Sequence, residues 1–265
     1  MTIERPPLNL QVTTLWDYPS QQYGEGGQGD QNYKGATPSY IIWNCIQRYT
    51  NPNDLIVDPC CGSGTTIDVA RDLGRKALGY DIAPARKDIF RADARKLPLE
   101  SGKADFVFID PPYSTHLNYS EDPACIGKLS AGSGDYYEAM EQVIREIRRV
   151  LKPGRMLAMY VSDSLVKGKT FNPIGFELFK RMQTAGFMPV DIIAVTRHNK
   201  SLEMGNYRKS AEEENFFLRG FNYLFLMQRE AKAPPRRRSP RKPIGSDRAK
   251  PARKYPPSYR RGGNL

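Results

Sequence analysis

Long apolar runs are missing from this chain. None approaches the ~18 residues that a membrane span needs, and the opening MTIERPPLNL lacks the apolar stretch of a secretory signal. No membrane association is expected, and the chain reads as soluble and cytoplasmic. Histidine is nearly absent, with only His116 and His198. The four cysteines, Cys45, Cys60, Cys61 and Cys125, show neither paired C-x2-C units nor nearby histidines. That spacing excludes the usual zinc sites, so no metal is expected. A bridge between the neighbours Cys60 and Cys61 would be strained, which argues against a disulfide there. No G-x-G-x-x-G stands in the glycine-rich stretch, and no lysine follows it as in a P-loop, so dinucleotide and triphosphate sites lose ground. There is no internal repeat.

What is present suits one domain with an appendage. The chain has 265 residues, 39% of them hydrophobic, enough for a substantial core. Its formal charge of +11 is concentrated at one end. Residues 231–265 contain twelve Lys/Arg, seven Pro and one acid, Asp247, which leaves residues 1–230 balanced. Such a segment buries too little apolar surface to offset its ordering entropy, and a disordered basic tail is expected. Its chemistry suits phosphate contacts, with Tyr255 and Tyr259 available to stack on unpaired bases.

Residues 1–230 alternate apolar runs with amphipathic stretches. Strands are expected at 54–58, 77–82, 88–92, 105–109, 156–161, 190–195 and 223–227. Helices are expected at 65–73, 136–151 and 176–185, ended by Gly74, Pro153-Gly154 and Gly186. Alternation of this kind predicts an α/β fold, a doubly wound Rossmann-like sandwich around a mostly parallel seven-stranded sheet. The last two strands show no helix between them. They are expected to form a terminal antiparallel hairpin with a long loop at 197–220.

Ligands of open α/β sheets sit at the carboxyl ends of the strands. Residues 58–66, DPCCGSGTT, follow the first strong strand. Gly62, Ser63 and Gly64 permit a tight turn and close approach to a ligand, and Thr65 opens a helix whose amino end favours negative groups. Asp81 ends the next strand, 23 residues after Asp58. An acid there can accept from ribose hydroxyls. Asp93, after the third strand, can accept from an adenine amine. Three strand-end acids suit a positively charged adenosine ligand, although each alone is equally at home as a cap or turn residue.

The strand at 105–109 runs directly into Asp110, Pro111, Pro112 and Tyr113. The proline pair fixes the backbone. The Asp110 carboxylate and the carbonyls of Asp110 and Pro111 can then converge on an amine with two hydrogens, and Tyr113 can stack on its ring. An exocyclic base amine is a poor nucleophile because its lone pair is delocalised. Two acceptors on its N–H bonds favour a tetrahedral nitrogen and release that pair.

DPCCGSGTT followed by DPPY resembles the S-adenosylmethionine-dependent amino-methyltransferases of DNA, the N6-adenine and N4-cytosine methylases. Residues 33–46, YKGATPSYIIWNCI, resemble the amino-terminal cofactor motif of that family, with Thr37 and Pro38 near the methionine end. TLWDYPSQQYG at 14–24 also resembles some members. The resemblance covers about residues 11–230. Cys60 stands where the family pattern has Phe. The resemblance implies a methyltransferase domain over 1–230, with S-adenosylmethionine held by Thr37, Pro38, Asp58, Cys60, Gly62, Ser63, Gly64, Thr65, Asp81 and Asp93. It implies a target amine held by Asp110, Pro111, Pro112 and Tyr113, a DNA substrate whose base leaves the duplex, and a place at the nucleoid. Adenine N6 is favoured over cytosine N4.

Positive charge in the late loop, at Arg197, Lys200, Arg208 and Lys209 with His198, suits DNA phosphates, with a solvated loop as the alternative. His116 suits a base pocket or a plain surface loop. Trp16 and Tyr18 suit a pocket wall or ordinary packing. Elements that read the target must follow Tyr113, at 114–135, 162–173 or 197–220. All are small, so a short or loosely enforced recognition sequence is expected. Two alternatives remain at this level: an RNA methyltransferase acting on guanine N2, and an inactive fold that only binds nucleic acid. The sequence carries no signal for an oligomeric state.

Overall fold

Eight strands form one sheet, in the order β1-β7-β8-β6-β5-β2-β3-β4. The computed structural model describes residues 8–18, 21–24, 26–30, 32–33, 35–116, 119–164, 171–198 and 204–231, without the side chain of His116. All lie in the unit Met1–Lys232. The tail expected at 231–265 falls, beyond Ala231, outside the described residues.

The strands are β1 (Leu15–Trp16), β2 (Leu55–Asp58), β3 (Lys76–Asp81), β4 (Ile89–Arg91), β5 (Ala104–Ile109), β6 (Leu151–Val161), β7 (Phe187–Thr196) and β8 (Phe221–Arg229). The helices are α1 (Ser39–Tyr49), α2 (Thr65–Asp72), α3 (Asp135–Val150), α4 (Ile174–Thr184) and α5 (Gly205–Glu213). β8 runs antiparallel to β6 and β7, and every other pairing is parallel. This is the mixed, largely parallel α/β sandwich that the alternation predicts.

Both faces of the sheet are covered. β5 (ADFVFI) is buried along its whole length, as expected of a central parallel strand. Phe106 and Phe108 point to the layer shared with Ile41, Ile42 and Ile46 of α1. Val107 and Ile109 point to the layer shared with Tyr136, Met140, Val143 and Ile147 of α3. Those α3 positions recur at three- and four-residue spacing, which is why the helix is legible in the sequence.

Three expectations are corrected. The sheet has eight strands rather than seven, because Leu15 and Trp16 pair with Ala194 and Val195. Two residues carry no periodicity, so only their tertiary pairing makes them a strand. The loop at 197–220 contains α5, which has no buried residue and therefore no apolar stripe to read. β6 begins at Leu151 rather than Met156. Its pairing to β5 shifts between Ala104 and Phe106, which absorbs Pro153-Gly154 in an irregular strand.

Candidate active site

The sheet order reverses between β2 and β5, since β3 and β4 extend one way from β2 and β5 and β6 the other. Beyond the carboxyl ends of these strands lies a cavity of about 550 Å³. Its wall includes Thr37, Pro38, Asp58, Cys60, Gly62, Ser63, Thr65, Asp81, Asp93, Asp110, Pro111, Pro112, Tyr113 and Arg197. Residues from both motifs, 73 positions apart between Thr37 and Asp110, thus meet in one space.

Gly64 is not part of that wall; it is the N-cap of α2, at φ 84°. Gly62 has φ 48°. A Cβ at Gly62 would lie 3.1 Å from the Tyr33 ring, and one at Gly64 would lie 2.6 Å from Arg86. Positive φ therefore favours glycine at both positions, and the Tyr33 ring adds a steric reason at Gly62. Arg86 braces the loop from outside through Asp68, at 2.6 Å, and Asp88, at 2.8 Å.

The strand-end acids are differently occupied. Asp58 is buried and accepts from the Thr66 hydroxyl at 2.5 Å and the Cys60 amide at 3.0 Å. Burial pushes it up to about 7 despite those bonds, with a smaller push from Asp110 and Asp81. Asp81 accepts the Gly62 and Ala83 amides, each at 2.9 Å. Burial raises it too, against the pull of its amide donors. Asp93 differs. Burial would raise it, but bonds from Arg95, the shortest at 2.6 Å, outweigh that and hold it below the usual range. Its carboxylate is engaged by a guanidinium.

Asp110 follows β5 directly. Its Oδ2 accepts from the Thr37 hydroxyl, and its Oδ1 accepts from the Tyr113 hydroxyl at 2.5 Å. Burial pushes Asp110 up to about 7, and the two hydroxyls oppose the rise. The Pro112 carbonyl is taken by the Tyr136 hydroxyl at 2.8 Å. The Tyr119 hydroxyl accepts the Tyr113 amide at 3.2 Å. Tyr113 is thus oriented from both ends, and the DPPY turn is anchored to α3.

The two cysteines of the loop are free thiols raised by burial, well above their ordinary value. Cys61 fills a structural place: a Cβ at Gly79 would meet its sulfur at 2.5 Å. Among the described residues, no cluster of His, Cys, Asp and Glu can hold a metal ion. No described helix is long and apolar enough to cross a membrane.

Other expected residues separate. Tyr18 lines the cavity. Trp16 is buried in the core, its indole N–H on the Thr13 carbonyl at 2.8 Å. His198 lines the cavity and pairs with Asp17. Arg208 and Lys209 are exposed on α5 and do not line the cavity. Lys200 and the His116 side chain lie outside the described residues. Sequence reasoning did not single out Tyr33, Tyr119, Tyr160 and Asn222, all in the wall. Tyr160, near the end of β6, was accessible to the strand-end rule. Tyr33 and Tyr119 sit on loops and carry no such signal.

The chain matches the DNA methylase family over residues 4–92 and 104–258. It belongs to that family. The match extends past residue 230 into the basic, proline-rich segment. The chain is 37% identical over 71 residues to the type II methyltransferase M1.MboII of Moraxella bovis, covering 26% of this chain and 27% of that protein. It is 30% identical over 97 residues to the DNA adenine methyltransferase YhdJ of Escherichia coli (strain K12), covering 36% of this chain and 31% of that protein. Each aligned stretch spans about a third of the relative or less. The crystal structure of the [4+2]-cyclase SpnF covers 77% of this chain and 86% of its own, with a TM-score of 0.51 and 16% identity, and shares the fold.

Proposed function

We propose that this chain transfers a methyl group from S-adenosylmethionine to an exocyclic amine of a DNA base, adenine N6 in preference to cytosine N4. One observation carries the reading: the glycine loop with its strand-end acids and the DPPY turn open on a single cavity. The cavity suits the cofactor. Gly62 leaves backbone bare beside it, and the oxygens of Asp81 that hold two amides keep lone pairs for ribose hydroxyls. Asp58, Thr37, Pro38, Ser63 and Thr65 complete that side. Asp93 stands there as an ion pair with Arg95, so it favours the cofactor less directly than a lone carboxylate would.

When bound, S-adenosylmethionine supplies an activated methyl group on a cationic sulfur. The chain's own residues prepare the other reactant. Asp110 and the Pro111 carbonyl accept the two N–H bonds of the amine, which favours a tetrahedral nitrogen. Tyr113 packs on the base. The hydroxyls of Thr37 and Tyr113 hold Asp110 in place until the amine takes over one of its oxygens. With its proton affinity raised to about 7, Asp110 can also hold a proton that the amine releases. The base must be unpaired or flipped to reach this depth. A methyltransferase domain over 1–230, a basic tail that contacts phosphates and a place at the nucleoid belong to the same reading.

Labelled S-adenosylmethionine with DNA or RNA, followed by mass spectrometry of the nucleosides, tests it. N6-methyladenine or N4-methylcytosine is expected. N2-methylguanine in RNA, or no transfer at all, overturns the assignment.

A further inference from the structure

The connections that leave β6 and β7 on the cavity side carry an exposed aromatic surface. Phe171, Phe176, Phe217 and Phe221 all face solvent, and Phe217 is 83% exposed. Scattered apolar residues are ordinary on a surface, whereas a contiguous group marks a contact site. They form two groups that meet in the chain at Arg219-Gly220-Phe221. Phe176 and Phe221 both meet Tyr223 edge-on, at 5.5 and 5.2 Å between centroids. The Arg219 guanidinium sits 5.1 Å over Phe171. It also donates to the Phe217 carbonyl at 2.7 Å, while the Phe216 amide donates to the Ala211 carbonyl at 3.0 Å. Phe217 is therefore held out to solvent on a braced strap rather than left on a loose one.

This surface adjoins the mouth of the active site. The Arg197 amide donates to the Gly220 carbonyl at 2.9 Å, and Phe221 stands between Gly220 and Asn222 in the chain. Arg197 and Asn222 both line the cavity. Phe176 lies in the first turn of α4, the helix that comes next in the chain after β6. The rings thus stand on the carboxyl-end face that also presents Asp110.

A partner for this surface must tolerate planar rings set beside a guanidinium group and must leave the cavity reachable. Stacked bases flanked by phosphates meet both demands. A folded protein seated on the same rings would obstruct the mouth through which a base has to pass. We propose that Phe217, with Phe171, Phe221 and Arg219, forms a DNA platform, Phe217 filling the gap in the base stack when the target base enters the cavity. The proposal rests on the methylase reading above. Aromatic insertion of this kind offsets unstacking and holds the distorted duplex. Three exposed acids, Glu212, Glu213 and Glu214, precede the strap; Glu213 is paired with Lys209 at 3.6 Å, and Arg219 sets positive charge among the rings themselves.

Binding of the full chain to a short fluorescein-labelled duplex, intact or with one abasic site, tests the proposal without requiring methyl transfer. An abasic gap is ready to take a ring with no base to expel. The chain is expected to favour the abasic duplex, and Phe217→Ala with Phe221→Ala to lower that preference by about tenfold, the size of one lost stacking contact. Phe217→Trp should retain it. An unchanged preference in the double variant overturns the proposal. So does sedimentation showing a dimer that the double variant dissolves, since a second copy would then own the surface. A preserved abasic preference in a chain that transfers no methyl group to any nucleic acid would instead overturn the methylase reading alone.

Discussion

Asp110 carries the largest chemical demand on one residue. Both of its oxygens are hydrogen-bonded by its own chain, so its orientation is fixed before any base arrives. Asp110→Ala is expected to abolish transfer while cofactor binding, followed by calorimetry, persists; surviving turnover would refute the assignment. A pH dependence follows from the same site. Asp58 and Asp110 both have folded-state values raised to about 7 against an ordinary 3.8. Between these values the folded chain binds more protons than the unfolded one, so stability falls as pH rises through that window. Asp110→Asn removes one buried charge and is expected to raise Tm more at pH 8 than at pH 5. The gain is at most a few kcal/mol at pH 8, since one pKa unit corresponds to about 1.4 kcal/mol. Activity should move the other way, with kcat/KM climbing through about pH 7 as Asp110 ionises to accept the amine. The residue types here were readable because DPCCGSGTT and DPPY are contiguous strings. The engagement of Asp93 by Arg95 and of Asp110 by Thr37 was not, because side-chain partners depend on packing.

At the scale of elements, the glycine loop is fixed from below by β3. Gly79 lies under the Cys61 sulfur and the Ile67 side chain, both within 2.6 Å of where its Cβ would stand. Gly79→Ala is expected to cost about 1–3 kcal/mol through overpacking, read as a lower Tm. The loss should shrink in the double variant with Cys61→Ala, which removes the opposing sulfur. This accounts for Cys61 as a packing residue. Cys60 turns toward the cavity in the place of the family's Phe, and the Tyr33 ring lies over the neighbouring Gly62. Aromatic cover for the loop thus comes from the amino-terminal segment, since DPCCGSGTT itself holds no aromatic residue. The strong helices and strands were legible because their apolar positions repeat with the right period. α1 was not among the expected helices, and α5 and β1 were not legible, one for want of a buried face and the other for want of length.

Across the whole molecule, charge and recognition are distributed unequally. Residues 1–230 are electrically balanced, and the excess lies in 231–265. Deleting 231–265 is expected to weaken DNA binding and to flatten its dependence on salt concentration, since each phosphate contact contributes close to one unit of slope. An unchanged slope would remove the tail from the interface. The sequence alone determined that this is an α/β chain with a glycine loop after one strand and an acid-proline turn after another, because local backbone demands and apolar periodicity are written in neighbouring residues. Only the tertiary structure decided that these loops share one cavity, that Thr37 reaches Asp110, and that Arg219 lies over Phe171 while holding the Phe217 carbonyl. Those are contacts between distant parts of the chain, fixed by the reversal of strand order between β2 and β5 and by which side chains then compete for the same space.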